Sequence, residues 1–273
     1  MKKGYVYLLL LPGVLFLTVF MLVPIFMTMG TTFFTEDGFT VQGYLQFFSD
    51  PYFMGILLTT LRVSIITTII CIILGFPAAY FVSKVGPRKK ALLLLLTIFP
   101  LLTSPVVRSF SWMIILGKNG VLNNVLTGIG IINEPISILY TPTAIIIGLV
   151  HLFLPLIIIT LVGVMENIEP DLLTAAESLG ASKIGVFTKV VIPLCVPGLV
   201  IGSILVFVGS FTAYTTPALL GGKQRVISTF LYQNAITLNE WQVASIVAVI
   251  MIVVTVVIIS LMNLLARKLN PKG

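Results

Sequence analysis

Charge is what this sequence has least of. Of its 273 residues only 9% are Asp, Glu, Lys or Arg, against 58% hydrophobic residues, and its mean hydropathy is +1.14. A soluble domain carries about 25% charged residues. A chain this short of charge cannot cover itself with a wettable surface, so its solvent is a bilayer. His151 is the only histidine, and Cys71 and Cys195 are the only cysteines. The two cysteines stand far apart, in or beside apolar segments, and read as small buried hydrophobes rather than a disulfide or metal pair. With no His-Glu-x-x-His and no Gly-x-Ser-x-Gly, an intramembrane enzyme lacks its nucleophile, base and metal ligands. The nine acidic residues all fall outside the long apolar runs. An ion-coupled secondary carrier typically needs intramembrane carboxylates or interrupted helices related by a repeat. Neither is evident, which argues against that class, and a non-transporting scaffold remains as a third rival. The formal net charge of +7 does not point to nucleic acid, because the cations sit at the ends of apolar runs and form no stripe.

The apolar runs themselves number six: Tyr5–Met29, Gly55–Val82, Ala91–Leu116, Thr143–Met165, Pro197–Leu220 and Val243–Ala266. Each reaches the roughly 20 helical residues that span about 30 Å of hydrocarbon. The first follows Lys2 and Lys3 like a signal peptide, but it is longer than a signal core and no A-x-A-like site follows it, so it reads as a retained span. Lys/Arg bias orients the whole. With the N-terminus placed in the cytoplasm, Lys2, Lys3, Lys84, Arg88, Lys89, Lys90, Lys183, Lys189, Arg267, Lys268 and Lys272 fall inside. Only Lys118, Lys223 and Arg225 fall outside, and Arg62 and Arg108 lie within spans. Both termini are therefore expected in the cytoplasm. The outer loops Phe33–Met54 (with Glu36, Asp37 and Asp50), Gly117–Pro142 and Gly221–Gln242 are too short for a domain but can form a rim for an external partner.

Pro77, Pro100, Pro105 and Pro155 fall inside spans, where each removes a helix hydrogen bond that a neighbour or a cavity must replace. Pro100 and Pro105, with Thr103, Ser104 and Arg108, make the outer half of the third run a candidate pathway lining. Arg108 is open to a second reading, snorkelling at the interface, which suits Arg62 better. Tyr214, beside Thr212, Thr215 and Thr216, is a further lining candidate or an interfacial aromatic. A lone histidine such as His151 reads as a packing residue.

The most telling stretch is Thr174–Pro193, TAAESLGASKIGVFTKVVIP, a polar, glycine-punctuated loop on the expected cytoplasmic side. Glu166–Gly180 reads as a short helix capped by Asn167 or Glu169, with Pro170 in its first turn and Asp171 at the positive end of its dipole. Leu172, Leu173, Ala176 and Leu179 recur at three-to-four spacing as one apolar face, and Gly180 sits where a left-handed terminator belongs. Ser182 can cap a second helix through Phe187, Val190 and Val191, ending at Pro193. So short a helix is marginal alone, so its face packs on this protein's own spans, on the headgroup layer or on a partner.

This loop resembles the EAA loop of permease subunits in ATP-binding-cassette importers, E-A-A-x-x-x-G-x(9)-I-x-L-P. Ala175, Ala176, Gly180 and Pro193 match in place; Thr174 stands for the leading Glu, Val190 for Ile and Ile192 for Leu, and Glu177 follows three positions after Thr174. Arg108–Asn123, Leu219-Leu220-Gly221-Gly222 and the final span are similar to the spermidine/putrescine-type branch, especially its first permease subunit. The likeness runs from Gly55 to Ala266, with the first span as the branch's added helix.

The resemblance implies an all-α, polytopic inner-membrane protein of six transmembrane helices with the MetI-like type I importer architecture. Residues 1–54 would hold the first span and loop, 55–266 the permease core with its coupling loop at 166–193, and 267–273 a cytoplasmic tail. Leu172, Leu173, Thr174, Ala175, Ala176, Glu177, Leu179, Gly180 and Pro193 would couple the chain to a cytoplasmic ATPase dimer. ATP and magnesium would be bound there, since no G-x-x-x-x-G-K-[ST] loop occurs here, and no cofactor is expected in this chain. A second, distinct permease subunit and an external solute-binding protein complete the expected assembly. The cargo is expected to be a polyamine. The lack of intramembrane carboxylates, with two intramembrane arginines, suits an anionic or zwitterionic solute such as an opine or phosphonate better, unless selection rests with the binding protein.

Overall fold

A computed structural model describes residues 3–35 and 38–269. Lys2, Glu36, Asp37 and Lys272, used above for topology and the outer rim, lie outside the described residues, as does the tail beyond 269. In chain order the elements are α1 (Lys3–Leu17), a π turn (Thr18–Leu22), α2 (Val23–Phe33), the strands β1 (Phe34–Thr35) and β2 (Gly38–Phe39), α3 (Gln42–Ser49) and α4 (Pro51–Lys84). Next come α5 (Pro87–Leu102), α6 (Pro105–Leu116), α7 (Val121–Gly128), α8 (Pro142–Met165), α9 (Pro170–Ser178) and α10 (Lys183–Val186). A π turn (Phe187–Val191) leads to α11 (Ile192–Thr212), then α12 (Thr215–Leu220), α13 (Ile227–Tyr232), a third π turn (Gln233–Thr237) and α14 (Trp241–Leu269). Among the described residues, five helical segments are long and apolar enough to cross a membrane, and a sixth crossing counts if the bent pair Pro87–Leu102 and Pro105–Gly128 is taken as one.

Two compact units are distinguishable. One comprises the described residues up to Gly55 with Phe230–Val253; the other comprises Ile56–Thr229 with the described residues from Val254. In the first, β1 and β2 form a two-residue antiparallel ribbon, Phe34 opposite Phe39. The Thr32 hydroxyl bonds the Tyr44 hydroxyl at 2.5 Å, and the Phe47 and Phe53 rings stack 5.5 Å apart. The ribbon and α3 lie in the outer loop Phe33–Met54, for which the sequence indicates no secondary structure of its own. Their aromatic alternation is too short to register as a strand pattern.

The second unit is built on α4, α8 and α11. Cys71 and Ala79 from α4, Ile157 and Leu161 from α8, and Cys195 and Val206 from α11 form one core, all six fully buried. Both cysteines are thus the packing residues expected. α8 and α11 approach closely because α11 faces α8 with glycines. A Cβ on Gly198 would stand 2.5 Å from Val164 Cγ2, and one on Gly202 3.0 Å from Ile157 Cγ1. This four-residue spacing of small residues is how membrane helices gain contact where lipid leaves little hydrophobic drive between them.

Two expected spans are corrected. Ala91–Leu116 is not one helix: α5 and α6 meet at 94°. Thr103 and Ser104 are extended, at ψ 149° and 131°, because Pro105 disfavours helical geometry in the residue before it. Pro197–Leu220 is not one helix either. The helical rod starts at Lys183 and ends at Thr212, before a break at Ala213. Nor does the segment after Ser182 stop at Pro193. The π turn there bonds the Ile192 N–H to the Phe187 carbonyl, one residue ahead of the proline. Thr18–Leu22 does the same ahead of Pro24. Widening the turn accommodates a ring that lacks an N–H and crowds the fourth carbonyl back.

The segment between α6 and α8 is pinned by Asn123, 1% exposed. Its amide donates to the carbonyls of Gly117, Lys118 and Ile136 and accepts from the Ile136 N–H, at 2.9–3.2 Å. Asn123→Ala leaves those groups buried and unpaired at a cost of about 1–3 kcal/mol; limited proteolysis is expected to cut faster within residues 117–142. Gly198→Leu overpacks the α8–α11 contact by about 1–3 kcal/mol and is expected to lower the thermal midpoint of the detergent-solubilised protein by about 3–10 °C. Gly163→Leu is the control, since a Cβ on Gly163 meets nothing within 4 Å.

Candidate coupling site

The loop between α8 and α11 folds as its punctuation dictates. Pro170 opens α9 and Asp171 lies in its first turn, where the helix dipole favours a carboxylate. Glu169 holds the N-cap position without a side-chain cap bond. Asn167 does not cap α9; its amide donates to Gly163 O at the end of α8. α9 ends in a Schellman closure. The Ala181 N–H donates to Ala176 O and the Gly180 N–H to Glu177 O, at 3.1 and 2.9 Å. That closure needs a left-handed residue, and Gly180 has φ +87°. The Ser182 hydroxyl then accepts from the Gly185 N–H at 3.2 Å and caps α10 as expected.

The expected single apolar face of α9 divides in two. Leu173 packs on the core of the second unit, and Ala176 is half-buried. Leu172 is 46% exposed and Leu179 89%. One edge grips the protein's own helices and the other is left uncovered. Thr174, Ala175 and Glu177 are exposed. Thr174, which replaces the leading Glu of the resemblance, spends its hydroxyl on Pro170 O at 3.2 Å. The far side of the loop is held by Phe187, whose ring meets Phe76 and Tyr80 edge-on at 5.6 and 4.9 Å. That anchor was missed, since a helical stretch of Phe and Val does not reveal its neighbours.

Of the four candidate lining residues, three meet at the α5–α6 bend. The Thr103 hydroxyl donates to Pro100 O at 2.8 Å. Arg108 reaches back with Nη2 to Thr103 O at 2.8 Å. Ser104 is exposed beside them. Arg108 is 7% exposed, so it does not snorkel, and its Nε and Nη1 are buried with no hydrogen-bond partner among the described residues. Arg62 is exposed. Tyr214 sits at a second break, between α11 and α12, and α12 lies against α6. None of the four lines the cleft of about 1070 Å³ in the first unit, between the Phe34–Phe47 segment and the start of α14. His151 packs against Trp112, whose indole N–H donates to His151 Nδ1 at 3.1 Å. It is the satisfied packing histidine expected.

The family model described as "Binding-protein-dependent transport system inner membrane component" matches residues 5–272. The spermidine/putrescine transport system permease protein PotB of Escherichia coli is 33% identical over 264 residues, covering 94% of this chain and 96% of its own. PotB of Haemophilus influenzae is 33% identical over 261 residues, covering 93% and 91%. A bacterial alginate ABC transporter, solved with an alginate pentasaccharide-bound periplasmic protein, shares the fold at TM-score 0.81 and 18% identity, covering 100% of this chain and 97% of that one. The MetNI methionine ABC transporter in an inward-facing form does so at TM-score 0.61 and 16% identity, covering 81% and 99%. The two solved structures bear on the fold alone. With the family model matching nearly its whole length, this chain belongs to the inner membrane components of binding-protein-dependent transport systems.

Proposed function

We propose that this protein is the first permease subunit of an ATP-driven importer and carries a polyamine delivered by an external binding protein. The observation that bears most weight is the uncovered edge of α9. Leu172 and Leu179 are exposed on a short helix whose other edge is fastened to the core. A soluble partner that covers that edge receives a helix already folded and oriented. The partner is a cytoplasmic ATPase dimer, which holds ATP and magnesium. Its closure displaces α9, and the membrane pathway changes its facing with it, because ATP binds one global state better than the other.

Both termini and α9 lie on the cytoplasmic side, in keeping with the Lys/Arg bias. A second permease subunit completes the pore. The candidate lining residues border the pathway in this reading: Thr103, Ser104 and Tyr214 at helix breaks, where non-helical backbone at membrane depth is tolerated, and Arg108 in the first turn of α6, bonded to Thr103 O. Polyamine cargo rests on the names of the PotB relatives. No described span carries an Asp or Glu, so selection of a cation is assigned to the external binding protein.

Gly180→Asp tests the docking role. Nothing lies within 4 Å of a Cβ built there, so the substitution strains only the turn, by about 1–2 kcal/mol. The variant is expected to stay in the membrane, to lose the ATPase on affinity purification, and to transport at about a tenth of the wild-type rate or less. Full uptake with the ATPase retained would contradict the reading. Uptake is also expected to survive collapse of the proton and sodium gradients while ATP is held up; loss of uptake would return the secondary carrier to the front.

A further inference from the structure

Lys90 Nζ lies 2.6 Å from Glu166 Oε1. Both charges occupy the unfavourable end of their helix. Lys90 is in the first turn of α5, where the dipole is positive, and Glu166 is the C-cap of α8, where it is negative. Neither residue suits its own helix, so the pair reads as a link between two elements. Both partners are partly exposed, Lys90 23% and Glu166 43%. Pairs so placed contribute little to stability. What this one does is fix position. Leu93 and Leu94 of α5 share a core with Met165, Ile168 and Leu173, and the ion pair adds a directional contact at the same junction.

Three residues after Glu166, the chain reaches the N-cap of α9. The other end of α5 is the 94° bend, where Thr103 and Arg108 are bonded. We propose that the Lys90–Glu166 pair is the positioning contact through which displacement of α9 reaches α5 and, at its far end, the bend. The proposal rests on the importer reading and names the route of coupling within this chain.

The test uses the whole complex in proteoliposomes, with ATP hydrolysis measured with and without a spermidine-loaded binding protein. Lys90→Glu, Glu166→Lys and the milder Glu166→Gln are each expected to reduce the stimulation at least about fivefold, the lower end of coupling between sites. The exchanged double variant, Lys90→Glu with Glu166→Lys, places each charge at the end its helix dipole favours, and is expected to recover to within about twofold of wild type. Every variant is expected to keep the ATPase through purification. Unreduced stimulation in the single variants, or a double variant as impaired as the worse single one, overturns the pair's role. Loss of the ATPase from the single variants overturns it too, since the pair would then belong to docking. A wild-type complex that spermidine-loaded binding protein does not stimulate defeats the polyamine importer reading itself, and the proposal with it.

Discussion

In hydrocarbon a backbone amide that loses its partner has no water to turn to, and each unpaired group costs several kcal/mol. Where this chain departs from a straight helix, buried backbone groups need a replacement partner, in the spans and in the packed loops alike, and several of the informative residues supply one. Arg108 bonds the Thr103 carbonyl released at the α5–α6 bend. Thr60 accepts the Ile227 N–H at 2.8 Å. Asn123 bonds four backbone groups in the segment between α6 and α8. The π turns ahead of Pro24 and Pro193 repair the ladder with the backbone itself.

The same constraint explains what was readable in the sequence. Run length and charge placement are one-dimensional, so the number of long apolar runs and the expected orientation follow from counting. Gly180 and Ser182 were legible because a Schellman closure and an N-cap each demand a residue type at a fixed offset. Whether a long apolar run is one helix or two is decided by local steric conflict. Pro105 marks the break at Thr103–Ser104, yet Pro77 and Pro155 lie inside unbroken helices, so proline alone could not say which runs divide.

What stayed hidden depends on contacts between distant residues. Nothing in the spacing of Leu172, Leu173, Ala176 and Leu179 says that the stripe divides into a gripping edge and an uncovered one. The pairing of Phe187 with Tyr80, or of Lys90 with Glu166, joins residues 107 and 76 positions apart, beyond any local pattern. Arg108 was visible as an intramembrane charge, but its backward reach was not.

The functional reading converges on α9, a short helix held by Leu173, closed by Gly180 and uncovered at Leu179. Cys71 and Cys195 are fully buried, so a cysteine introduced at Leu179 is the accessible thiol among the described residues. The decisive measurement is disulfide cross-linking, in membranes, of Leu179→Cys to single-cysteine variants across the surface of the partner ATPase. The account predicts a cross-linked species at a confined set of ATPase positions, with a yield that changes when ATP is added. No cross-link from Leu179→Cys at any ATPase position, in membranes where the two proteins co-purify, would contradict it.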